Sequence, residues 1–98
     1  MALTAERQPH AGQLIRAHRD LLGLSRKEMC ARVEKLSRGD EYPVTLSESA
    51  LWWIEERGVV PTTPRAAAIA TVLGLQATRV WQTKSSFLAT ALLERTAA

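Results

Sequence analysis

Apolar residues along this chain recur at three- and four-residue steps, and no stretch alternates with a period of two, so the pattern predicts helices and no strands. The first stripe runs from Gly12 to Leu22, with Leu14, Ile15, Ala17, His18, Leu21 and Leu22 on one side and Gly23 as the stop. "SRKE" (Ser25 to Glu28) then has the form of a capping box. A Ser hydroxyl can accept from the third helical N–H while the Glu reaches back to the Ser N–H. The second helix therefore starts there, and Met29, Cys30, Val33 and Leu36 are its expected buried face.

"SRGDEYPVT" (Ser37–Thr45) breaks the pattern with Gly, Asp and Pro43 and reads as a long loop. A third helix is expected through about Arg57, opened by Thr45 with Glu48 or by Ser47 alone, and ended by Gly58 and Pro61. Thr63-Pro64 starts a fourth, because Pro at the first helical position loses no hydrogen bond, and Gly74 closes it. A last amphipathic segment after Thr78 carries Val80, Trp81, Phe87, Leu88, Ala91 and Leu92 on one broad stripe. Residues 1–11, with Pro9 and no sustained period, read as a flexible arm; 12–75 as the main domain; 76–98 as a C-terminal helix.

Composition narrows the function classes. Ninety-eight residues with 46% apolar content make one domain with a modest core. No apolar run approaches the ~20 residues a bilayer needs. With no secretory leader evident, the expected location is the cytoplasm, near the nucleoid. Cys30 is the single cysteine, and His10 and His18 have no companions at ligand spacing, so no metal and no cofactor is expected. No nucleophile–base set, paired-carboxylate site or phosphate-cradling glycine loop can be assembled, so the chain does not read as an enzyme. The net charge of +3 is unevenly spread: eight basic residues face four acidic ones over 1–38, whereas 39–56 hold five acids and no base. The basic front half suits a polyanion.

"LIRAHRDLLGLSRKEMCARV", "LSESALWWIEERGVVP" and "PRAAAIATVLGL" together resemble the lambda-repressor-like, Cro-type helix-turn-helix family over residues 12–75. The resemblance implies an all-α, compact five-helix domain that inserts its third helix into the major groove, as a transcriptional regulator, a repressor of bacterial or phage origin. Two departures stand out. About eleven extra residues, Glu34 to about Val44, replace the tight turn between helices two and three, and the Ile-Glu pair continues Glu56-Arg57-Gly58 where the family has Arg-Gly.

The candidate site follows from helix geometry. If Leu51 and Ile54 face the core, Ala50 and Ser47 share their side and Trp52 and Trp53 point away. The resemblance puts Glu48, Ser49 and Trp53 at base-contacting positions, beside Ser47 at the helix start. There Glu48 would accept from a cytosine amino group, Ser49 would bond a base edge and the Trp53 indole would pack on a thymine methyl. None of these is a bidentate Arg or Gln, so discrimination is expected to be weak or partly shape-based. Intramolecular packing of either Trp is the bland alternative. Arg26 and Lys27, in the first turn of helix two, are the best phosphate contacts, because the helix N-terminus already favours an anion; Arg57 is the next. The resemblance also pairs Arg19 with Glu55 across helices one and three as a structural ion pair. The expected partner is double-stranded DNA, bound by a homodimer whose seam would be Trp81, Phe87, Leu88 and Leu92 on the C-terminal helix; packing of that helix back on its own domain is the equally simple alternative. The alternative is a protein-binding module, such as an antitoxin or co-regulator, docking through Trp52/Trp53.

Overall fold

The computed structural model describes residues 7–81. These form an all-α domain of five helices: α1 (Pro9–Leu21), α2 (Arg26–Ser37), α3 (Glu48–Arg57), α4 (Thr63–Val72) and the short α5 (Ala77–Val80). No helix among the described residues is long and apolar enough to cross a membrane. One core joins all five helices, centred on Ile15, Met29, Val33, Leu51, Ile54 and Ile69.

Helix α1 begins three residues before the expected Gly12, with Pro9 in its first turn, where the missing N–H costs nothing. Of the expected arm, residues 1–6 lie outside the described residues, and Arg7 and Gln8 are held against the end of α3. The Gln8 N–H donates to the Gly58 carbonyl at 2.7 Å, and Arg7 pairs with Val59 in an antiparallel bridge. The buried side of α1 is Ala11, Gly12, Ile15 and Arg19, a row at three- and four-residue steps. The expected stripe was therefore out of phase at its end. Leu21 is 81% exposed and Leu22 is exposed too, because Arg19 takes the last inward position.

The capping box at the start of α2 is present in both directions, with the Glu28 N–H to Ser25 Oγ at 3.1 Å and the Ser25 N–H to Glu28 Oε1 at 3.0 Å. Those bonds stabilise the carboxylate form and hold Glu28 below its ordinary pKa. Met29, Cys30 and Val33 are buried as expected, but Leu36 is exposed and Ser37 takes the inward position. The Ser37 hydroxyl accepts the Val44 N–H at 2.9 Å, so a buried polar group pins the far end of the loop to the helix the loop leaves. Burial pushes the Cys30 thiol up to about 11, which keeps it neutral and unreactive.

Ser47 alone caps α3, accepting the Ala50 N–H at 3.0 Å; Thr45 takes no part in the cap. Gly58 ends the helix at φ 68°, and a Cβ there would meet Pro9 N at 2.6 Å. Helix α4 starts at Thr63, one residue before the expected Pro64, with Thr62 at the cap, and buries Ala66, Ala68, Ile69 and Ala70, packing on α2. The final expectation fares differently. Trp81 follows a four-residue helix and is 4% exposed, packed in the domain's own core, which is the packing alternative and not the dimer seam. Phe87, Leu88 and Leu92, the other expected seam residues, lie outside the described residues, as does most of the expected C-terminal helix.

Candidate nucleic-acid interface

The most extensive helix contact is between α1 and α3. At its centre the backbones approach so closely that a Cβ on Gly12 would collide with the Ile54 carbonyl oxygen and lie 2.8 Å from that of Glu55. Only glycine fits there. About one turn and two turns along the same contact, helical spacing brings Ile15 and Arg19 against the inner side of α3.

Arg19 and Glu55 form the expected ion pair, and it is bidentate: Nε to Oε2 at 2.7 Å and Nη2 to Oε1 at 3.0 Å. Nη1 donates to the Leu24 carbonyl at 2.8 Å, so the guanidinium also holds the turn between α1 and α2. Both residues are buried, at 8% and 4% exposure. The hydrogen bonds Arg19 donates to Glu55, opposed by desolvation, leave its pKa above the ordinary value, so the guanidinium stays charged inside the fold. Removing one partner of such a pair leaves an uncompensated charge, which is the costly event.

Sequence reasoning missed the extension of this pair. Arg26, expected to hold phosphate, turns back onto α3 and donates from Nε to Glu55 Oε1 at 3.1 Å and from Nη2 to Glu56 Oε1 at 3.2 Å. Arg16 reaches the same Glu56 oxygen at 2.9 Å. Three arginines from α1 and α2 thus grip two adjacent carboxylates on α3. The signal was in the sequence: Glu55-Glu56 is a like-charged pair that needs cations around it, and Arg16 and Arg19 are three apart on one helix face.

The outer side of α3 is what that grip presents. Ser49, Trp53 and Glu56 succeed one another at four- and three-residue steps along one ridge, and all three are exposed, Trp53 by 46%. Trp52 is half-buried on the flank, its ring edge-on to Trp53 with centroids 5.1 Å apart. The Arg57 guanidinium lies over the Trp52 ring at 5.7 Å, within cation–π range. The two tryptophans are therefore a coupled unit, one indole propping the other outward. Glu48 is also exposed, at the start of the helix, as is Lys27 at the start of α2; Ser47 is spent on the cap.

Beside Trp53 a groove of about 310 Å³ runs between α3 and the turn into α4, walled by Ala50, Val59, Val60 and Pro61 and closed by Arg65. Arg65 is fixed by donating Nε to the Thr45 carbonyl at 2.9 Å. The extended α2–α3 connection opens a second groove against α4, of about 630 Å³, lined by Leu36 and Tyr42 with Asp40 and Glu41 at its edge. No group of three or more potential metal-ligating side chains occurs among the described residues. Comparison of the chain with protein-family models, with curated proteins and with solved structures returns no match.

Proposed function

We propose that the chain is a DNA-binding transcriptional regulator of the repressor type, which lays the Ser49–Trp53 edge of α3 in the major groove of double-stranded DNA. One observation carries the reading. Helix α3 is locked on its inner side by Gly12 and the Arg19–Glu55 fork, while its opposite ridge is exposed and holds an aromatic side chain that the core does not use. A helix about 10–12 Å across fits a groove of about 12 Å. Ser49 offers a donor and acceptor to a base edge, and the Trp53 indole a flat apolar face for a thymine methyl; Glu48 faces a cytosine amino group. Lys27 and Arg57 contact the flanking phosphates. Two copies reading adjacent half-sites, about one helical turn apart, would give such a small module useful affinity.

Retention on duplex DNA against salt tests the class. Phosphate neutralisation requires a linear fall of log affinity with log salt, at about 0.9 per phosphate contacted. Selection from random duplexes with wild type and Trp53→Ala in parallel then tests the groove assignment: the variant should lose preference at one position while staying folded. The exposed Trp52/Trp53 pair also favours a second reading, a protein partner on this same surface. That reading takes over if no duplex is held even at low salt.

A further inference from the structure

The Glu56 carboxylate sits at the C-terminal end of the ridge formed by Ser49 and Trp53, and one of its oxygens, Oε1, accepts from both Arg16 and Arg26, at 2.9 and 3.2 Å. Two guanidiniums converging on a single anionic oxygen is the arrangement a phosphate oxygen takes between arginines. Both cations belong to the basic front half of the chain, and both border the surface proposed to face the duplex. Their exposure differs from that of the neighbouring fork. The Arg16 side chain is 53% exposed and that of Glu56 32%, whereas the Arg19–Glu55 pair is closed to water. A partly solvated pair is weak and open to exchange; the buried fork is neither.

We infer that Glu56 is an internal phosphate surrogate: it neutralises Arg16 and Arg26 in the free protein and so limits the affinity of the chain for nucleic-acid backbone. This rests on the DNA-binding reading. A duplex phosphate arriving at the ridge must displace the carboxylate from the two guanidiniums, and meets its negative charge while doing so. The second hold on Arg26, through Glu55 Oε1 at 3.1 Å, keeps that side chain at the site when Glu56 lets go. Affinity is thereby set low enough for release, and any change that removes the Glu56 charge would strengthen the grip on DNA in general rather than on one sequence.

The test is a double-mutant cycle of Glu56→Gln and Arg16→Gln, read as affinity for a random-sequence duplex of about 20 base pairs across a salt series. The amide keeps an acceptor for Arg16 and leaves the Arg19–Glu55 fork intact. Glu56→Ala carries the same measurement if the amide lowers the melting temperature. Releasing Arg16 and Arg26 from Glu56, the latter still tethered to Glu55, should steepen the log–log salt dependence by up to about 1.8, which corresponds to binding tighter by tenfold or more at about 0.1 M salt. In the Arg16→Gln background the increment should fall by about half. An equal gain with and without Arg16, at unchanged slope, would mean a diffuse charge effect and would overturn the proposal, as would no gain from Glu56→Gln. If neither wild type nor variant holds duplex at low salt, the DNA reading itself is lost; wild-type binding with an unaltered variant removes only the role of Glu56.

Discussion

On its inner side α3 presents Leu51, Ile54 and Glu55, all buried, to partners that leave no slack: a glycine where any Cβ would strike backbone, and a guanidinium bonded three times over. On its outer side the same ten residues present Ser49, Trp53 and Glu56, whose neighbours, Trp52, Arg16 and Arg26 among them, are half-buried or exposed side chains. The difference lies in what fixes position. Inside, backbone contact and a buried ion pair determine where the helix axis runs; outside, the contacts are the partly solvated bonds of Arg16 and Arg26 to Glu56 and the edge of Trp52 against Trp53. A helix so held can expose a large aromatic residue without drifting, and that is what a reading surface requires.

The comparison breaks first at Glu55. Glu55→Ala should destabilise the fold by about 3–5 kcal/mol, because Arg19 is left charged, buried and without its carboxylate. Chemical denaturation of the variant measures this; a loss under 1 kcal/mol would mean that the fork contributes no more than an exposed pair. Next comes Gly12→Ala. The obstacles are the Ile54 and Glu55 carbonyls rather than a side chain that could swing aside, so the cost belongs at the upper end of the ~1–3 kcal/mol seen for overpacking. Its signature is distinctive: α3 must move as a body, so the near-ultraviolet signal of Trp52 and Trp53 should change along with the melting temperature.

The sequence made the helices legible because their punctuation is local. Ser25 and Glu28, Ser47, Gly58 and Thr63-Pro64 each act within one turn, and the structure uses each where it stands. It made the core legible less evenly. Leu21, Leu22 and Leu36 are apolar and exposed, while Arg19, Ser37 and Glu55 are polar and buried, because a polar residue can take an inward position once a distant partner satisfies it. Periodicity does not reveal such partners. Arg19–Glu55 was readable only through the family likeness, and the Ser37–Val44 bond not at all. At the candidate site the outward direction of Trp53 followed from Leu51 and Ile54. The capture of Arg26 by Glu55 and Glu56 did not, since a helix N-terminus read in isolation suggests an anion from outside when the chain already supplies one from α3.

A smaller effect sharpens the contrast from α2. Glu28 is held below its ordinary 4.5 by the Ser25 N–H and hydroxyl, so its contribution is complete above that value and is lost as pH falls through the lowered one. The stability difference between wild type and Glu28→Gln should therefore be constant from neutral pH down to about 5 and vanish in stronger acid. A difference that grows on acidification would reverse the sign and dismiss the capping box as its source.

The smallest effect on stability, and the most informative, is expected at Trp53. Trp53 is nearly half exposed, and its ring meets the edge of Trp52. Truncation to Ala removes that contact and only the covered part of the indole, so the melting midpoint should fall by less than it does in Trp52→Ala. Trp52→Ala makes the control, because it removes the half-buried partner and the seat of the Arg57 guanidinium as well. If Trp53→Ala melts as early as Trp52→Ala, the outer indole belongs to the fold and the division between the two faces of α3 fails. If it melts near wild type and loses duplex preference, the outer face serves only recognition. A bulky apolar side chain kept in water, on a helix fixed this firmly from behind, is then explained by what it touches in the complex.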